Sequence, residues 1–137
     1  GVGVERNETL AIDWYLKAAK QGVGGAMNNL AVMYTAGRGV TENPKEALRW
    51  AVSGAKAGNT DATAKVCAFM MNGYGGPEGQ AWQERIVEAL PWCLLAVDRG
   101  NEATHSVLVE IFGEDYSQVR RDFSMSKDSL YALYSEY

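Results

Sequence analysis

Residues 37–58, GRGVTENPKEALRWAVSGAKAG, lie over residues 1–22, GVGVERNETLAIDWYLKAAKQG, without a gap at an offset of 36. Nine of the 22 aligned positions are identical, those at 1, 3, 4, 7, 11, 14, 19, 20 and 22 of the first copy. A fixed period of this length is the mark of an array of supersecondary units. Such arrays present binding surfaces more often than they carry chemistry. Trp14 and Trp50 fall at equivalent positions, and Trp92 marks a third, more distant copy.

Each tryptophan sits in a stripe with helical spacing. Ala47, Trp50, Ala51 and Gly54 stand at i, i+3, i+4 and i+7, one face of an α-helix. Ala11, Trp14, Tyr15 and Ala18 repeat it, as do Ala89, Trp92, Cys93 and Ala96. One large indole among small residues lets a neighbouring helix approach while the ring fills the gap, so the stripes predict all three indoles in a core seam. Asn43, Pro44 and Glu46 open the middle helix as a capping box with proline at the first helical position. Gly22, Gly58 and Gly100 are expected to stop these helices in a left-handed turn.

A second helix type alternates with the first. Ala26, Leu30 and Tyr34 form its stripe in one copy, and Ala62, Val66 and Met70 in the next, ended by Gly37 and Gly73. Residues 101–112 read as a further one, closed by Gly113. The spacing from Trp50 to Trp92 is 42, so the third unit holds six extra residues near Tyr74–Gln80. Pro91 replaces Arg49 inside the expected helix and would clash with the carbonyl four residues earlier, which predicts a break between Gln83 and Glu88. The tail, 116–137, fits the period poorly. Leu130, Leu133, Tyr134 and Tyr137 still make a helical stripe behind a capping Ser126, as a decayed repeat helix or a terminal cap.

Composition bounds the rest. Hydrophobic residues at 47% and charged residues at 22% describe a globular chain. The net charge of −4 offers no footprint for nucleic acid. Residues 1–58 sum to +2 and residues 59–137 to −6, so one end is acidic. The longest apolar run, Ala89–Val97, is too short to span a bilayer. No leader opens the chain, which begins inside a repeat and reads as a fragment, leaving cytoplasmic and periplasmic or secreted settings open. Cys67 and Cys93 match neither a zinc spacing nor a dense disulfide framework, and are expected as small buried residues, with a free-thiol or disulfide role as the alternative.

Residues 26–58, AMNNLAVMYTAGRGVTENPKEALRWAVSGAKAG, are similar to the Sel1-like repeat, a cousin of the tetratricopeptide repeat. Ala26, Leu30, Tyr34, Gly37, Gly39, Val40, Ala47, Trp50 and Gly58 carry the resemblance, with Gly1, Gly3, Val4, Trp14, Tyr15, Lys17, Ala18, Ala19 and Gly22 in the preceding copy. Ala31 and Cys67 depart from it, Asn43 replaces the usual aspartate, and the glycine-x-glycine-valine turn reads as lost in the third unit. The resemblance implies an all-α fold, a right-handed superhelix of antiparallel helix pairs with a concave inner face. The units are then 1–22 (second helix only), 23–58, 59–100 with its insertion near 74–80, and 101–137 as a degenerate repeat or capping helices. Because no first helix precedes it, helix 8–21 is expected to have its Trp14 face covered by another chain, through self-association, or to be mobile.

The function this implies is a non-enzymatic scaffold, of bacterial origin, holding a protein or peptide partner in the groove of its first helices. Beside the core stripe, Asn29 and Met33 are equivalent to Lys65 and Phe69. Met33 and Phe69 are candidate apolar anchors, and Asn29 and Lys65 candidate contacts to backbone or carboxylate, with packing between units as the alternative role. No cofactor is implied. The stretches GVGV, GVGG and GYGGPEG lack the lysine and hydroxyl of a phosphate loop, and the first two read as repeat turns. His105 is the single histidine, too little for a histidine-based metal site or triad, and is expected on the surface of the last first-type helix. Glu84 with Glu88, and Glu114 with Asp115, have no reason to hold unequal proton affinities. Two alternatives stand beside the scaffold. One is an inhibitor of a secreted toxin. The other is a β-lactamase-like enzyme of the cysteine-rich kind, whose regularly spaced cysteine pairs this chain does not reproduce.

Overall fold

The computed structural model describes the backbone of residues 2–137 and the side chains of residues 7–137. Its eight elements are α1 Val2–Lys20, α2 Gly24–Ala36, α3 Pro44–Lys56, α4 Thr60–Asn72, α5 Trp82–Asp98, α6 Glu102–Phe112, α7 Ser117–Phe123 and α8 Lys127–Leu133, with no strand among the described residues. The fold is an all-α solenoid. The most extensive helix contacts join α2 to α3 and α4 to α5, while α1 meets α2 and α3 meets α4 less closely. Each pair buries a first helix against its second, and pairs then stack.

The punctuation acts as the sequence proposes, with one exception. Asn43 accepts from the Glu46 N–H at 3.2 Å and Pro44 opens α3. The capping box is half made. The Asn43 N–H donates to the Tyr34 carbonyl, and Glu46 turns instead to Arg49 at 3.2 Å. Asn59 and Asn101 cap α4 and α6 from the residue after a helix-ending glycine, and Ser126 caps α8. Gly37 and Gly73 end α2 and α4 in the left-handed region.

The turn that follows is the clearest structural record of the period. Gly39 (φ 74°) lies so close to the Glu8 backbone that a Cβ there would stand 2.7 Å from the Glu8 carbonyl oxygen. Gly75 (φ 79°), 36 residues on, meets the Pro44 carbonyl in the same way at 2.5 Å. The glycine pair is therefore kept in the third unit, contrary to the sequence reading; only the valine is replaced, by Gly76. The six extra residues follow this turn and leave the stacking contact untouched.

Three other expectations are corrected. Residues 2–4, read as part of a repeat turn, are helical. Gly1 lies outside the described residues, and α1 runs as helix from Val2. In the second copy the turn forms because α2 ends there and Gly39 rests on Glu8, whereas no described helix ends before α1. Pro91 produces no break between Gln83 and Glu88, since α5 is continuous through it. The carbonyl it deprives of a donor belongs to Val87, which is half exposed, where water can serve it. Its neighbours Ala89, Leu90, Trp92 and Cys93 are buried and hold the helix in place. Cys67 and Cys93 are buried as expected, but they form a disulfide joining α4 to α5 with Cα atoms 4.8 Å apart.

The expectation of three indoles in a core seam fails at Trp14. Trp92 is fully buried, Trp50 is half-buried between the two core clusters, and Trp14 is 67% exposed. The second helices have two apolar faces. On α3 one face carries Trp50 toward its own first helix, and the other, with Leu48, Val52 and Ala55, closes the central core. α1 uses only its counterpart of the latter, Ile12 and Ala19, against Ala26, Leu30 and Met33 of α2. Its tryptophan face has no first helix to meet among the described residues.

Candidate functional site

The first helices α2, α4 and α6 carry equivalent positions because their caps and stripes are in register. Asn29, Lys65 and Val107 occupy one rung, and Met33, Phe69 and Ile111 the next. The four candidates Asn29, Met33, Lys65 and Phe69 do not converge on one groove. Exposed Asn29 and buried Met33 line a hollow of about 420 Å³ between α1 and α2, with Tyr15, Val32 and Arg38 among its walls. Arg38 is held there by Glu8 at 3.2 Å. Lys65 lines a second hollow of about 430 Å³ between α4 and α6. Phe69 lines neither, and packs its ring 5.0 Å from that of Tyr74.

The second hollow is the more apolar. Ala64, Ala68, Met71, Ala103 and Val107 form its walls, and Asp61, Lys65, Asn72 and Asn101 bring polar groups to it. It exists because α6 packs on α5 and makes no extensive contact with α4. Val107 and Ile111 are 39% and 38% exposed, large side chains left in water on the same helix face. Sequence reasoning missed both. Carrying the rungs forward by the third unit's spacing of 42 would have found them.

The disulfide lies directly beneath. Cys67 contributes to the lining, and its Sγ approaches the Met71 Sδ at 3.8 Å. The α4 wall is thus fastened to α5. On the far side of α5, Trp92 is stacked by Tyr131 at 6.0 Å and met edge-on by Tyr134 at 5.3 Å, so α8 serves as a cap. Arg99 ties that cap down, donating to the Ala55 carbonyl, the Thr63 hydroxyl and the Tyr131 hydroxyl. Burial pushes the Tyr134 hydroxyl above the ordinary phenol value.

The remaining chemistry-bearing residues have quieter partners. His105 is exposed on α6 with Nδ1 at 2.5 Å from the Tyr116 hydroxyl. Glu84 and Glu88 share a solvent-facing side of α5. Asp115 accepts from the Ser117 N–H at the start of α7, and hydrogen bonds from Ser117 hold its carboxyl below the usual range. Among the described residues no group of histidine, cysteine, aspartate and glutamate could hold a metal ion, and no helix is long and apolar enough to cross a membrane.

Comparison with known proteins follows the same lines. The Sel1 repeat family model matches residues 1–23 and 25–59. The structure is similar to the crystal structure of a Sel1 repeat protein from Oxalobacter formigenes, with a TM-score of 0.67 and 28% sequence identity. That match covers 77% of this chain and 41% of the other, so the chain spans well under half of its relative's length. No curated protein matches the sequence.

Proposed function

Because the chain is a Sel1-like repeat protein, we propose that it is an interaction scaffold that holds a peptide or protein segment on the face of its first helices, seated in the hollow between α4 and α6. One observation carries this reading: an open, mainly apolar recess with Lys65, Asp61, Asn72 and Asn101 among the polar side chains that line it. Apolar side chains of a partner fill such a recess, while the polar edge meets its backbone and termini. The hollow at Asn29 and Met33 extends the same face toward α1. A bacterial source fits the relative's origin.

The test is selection from a peptide library, followed by affinity measurements on variants of the recess. Val107→Glu and Ala68→Glu put a charge into the apolar walls and are expected to weaken binding about tenfold or more. Lys45→Ala, on a different face, is expected to leave it unchanged. Equal affinity for all variants would remove the recess as the site.

The disulfide favours an oxidising compartment, periplasmic or extracellular, where such bonds persist. It also supplies one cysteine pair within a unit, the feature from which the cysteine-rich enzyme reading starts. The other units carry none. Hydrolysis of nitrocefin by the purified chain would support that reading over the scaffold.

A further inference from the structure

The bond between Cys67 and Cys93 is shared by the core and by the recess between α4 and α6. Cys93 is fully buried on α5, whereas Cys67 lies in the recess lining with Ala64, Ala68 and Met71. The two Cα atoms stand 4.8 Å apart, so the helices meet closely at this point. Both cysteines belong to the central core, with Val66, Met70, Ala89 and Trp92 among its buried members. Once the bond is broken, the two sulfurs must part from bonding distance to van der Waals separation. A close-packed interior resists such a movement on the Cys93 side. On the Cys67 side the recess, about 430 Å³, is open to it. Met71 stands there already, its Sδ 3.8 Å from the Cys67 Sγ.

The bond bears on the recess in a second way. α6 makes no extensive contact with α4, so the width of the recess is set through α5. Two joints hold it, α4 on α5 and α5 on α6, and the disulfide fastens the first. Reduction therefore displaces the Cys67 thiol toward the recess and frees the wall that bears Ala64, Ala68 and Met71. We propose that the Cys67–Cys93 couple gates the recess: the disulfide form holds a peptide partner, and the dithiol form holds it more weakly. The inference rests on the reading of the recess as the binding site, and adds its regulation. A dithiol reductant gives up two electrons and two protons, the Sγ–Sγ bond breaks, both cysteines become thiols, and the reductant closes to its own disulfide. A disulfide oxidant runs the exchange in reverse. A chain still carrying thiols thus engages its partner weakly, and gains affinity on entering a compartment where the bond persists. Binding and bond are then linked. If the disulfide form binds about tenfold more tightly, saturating peptide makes the bond about tenfold harder to reduce at equilibrium.

The probe is the tightest peptide selected from the library on the disulfide-bonded chain. Its affinity is measured before and after reduction with dithiothreitol, with circular dichroism to follow the helices. The reduced chain is expected to stay helical and to bind about tenfold more weakly, within the usual range of coupling between sites. Dithiothreitol acts on this bond alone, since the chain has two cysteines and neither is free. Cys67→Ala with Cys93→Ala is accordingly expected to bind at one affinity in either condition, below that of the disulfide form. In a glutathione redox buffer, saturating peptide is expected to lower the reduction potential of the bond by about 30 mV, the equivalent of tenfold for two electrons. Equal affinity of the folded reduced and disulfide-bonded chains would overturn the proposal, as would a potential unmoved by peptide. So would loss of the helices on reduction, because the bond would then hold the fold and not the recess. An affinity unchanged by Val107→Glu would fail the recess reading itself, and the gating with it. A redox effect absent while Val107→Glu still weakens binding removes the gating alone.

Discussion

Trp14 and Trp92 occupy one position in the repeat and meet opposite fates, the first in water and the second in the driest part of the core. Their own helices are not the cause, because both stripes have the same spacing. What differs is the company. Trp92 has α4 beside it and Tyr131 and Tyr134 above it, while α1 packs mainly on α2, with its other face, among the described residues. In an array of this kind a side chain's burial is decided by the neighbouring unit, so the stability of a unit resides largely in its interfaces.

The strongest way to break this comparison is to delete both rings. Trp92→Ala should destabilise the chain by about 3–5 kcal/mol in denaturant unfolding. Trp14→Ala should stay within about 0.5 kcal/mol when measured at concentrations where the chain is monomeric. Similar losses for the two would mean that α1 is covered in solution.

The disulfide sharpens the contrast, because it fastens only the Trp92 end. Replacing Cys67 and Cys93 together with alanine should remove about 3.5 kcal/mol, from the entropy of a closed loop with a sequence separation of 26. Hydrogen exchange should then speed up in α4 and α5 while α1 stays as it was. A uniform change along the chain would show that the units are coupled more tightly than their contacts imply.

A smaller effect distinguishes the stacking turns. Gly39→Ala and Gly75→Ala each force a positive φ on alanine and press a Cβ against backbone, at 2.7 Å and 2.5 Å, with an expected cost of about 2 kcal/mol each. Gly39→Ala should loosen α1 alone, since the backbone that opposes it is that of Glu8 and Thr9. Gly75→Ala should disturb the joint between the two complete pairs. Exchange rates resolved by helix would check this, and equal disturbance of both joints would refute it.

Much of the fold was legible because repeats state each rule more than once. Gly37 and Gly73 end equivalent helices, and Asn43, Asn59 and Asn101 cap helices through the same short-range chemistry. What could not be read depended on partners distant in sequence. The exposure of Trp14 follows from which helix lies opposite, and the Cys67–Cys93 bond from how α4 meets α5. The continuity of α5 through Pro91 follows from the half-exposed Val87 that gives up the bond. For the site, the period gave the rungs but not their spread, because the hollow beside Lys65 arises where α6 leaves α4.

The Arg99 side chain has a mechanical consequence. It grips Ala55, Thr63 and Tyr131 at once, and Tyr131 also reaches the Ala55 carbonyl, so α8 is clasped across elements that precede it by tens of residues. A pull on the last residues therefore meets that clasp before any repeat joint feels tension. Once it slips, α8 peels away and Trp92 loses the tyrosine ring that stacks on it, so under force the molecule should shed its tail in a discrete step before the array itself gives way.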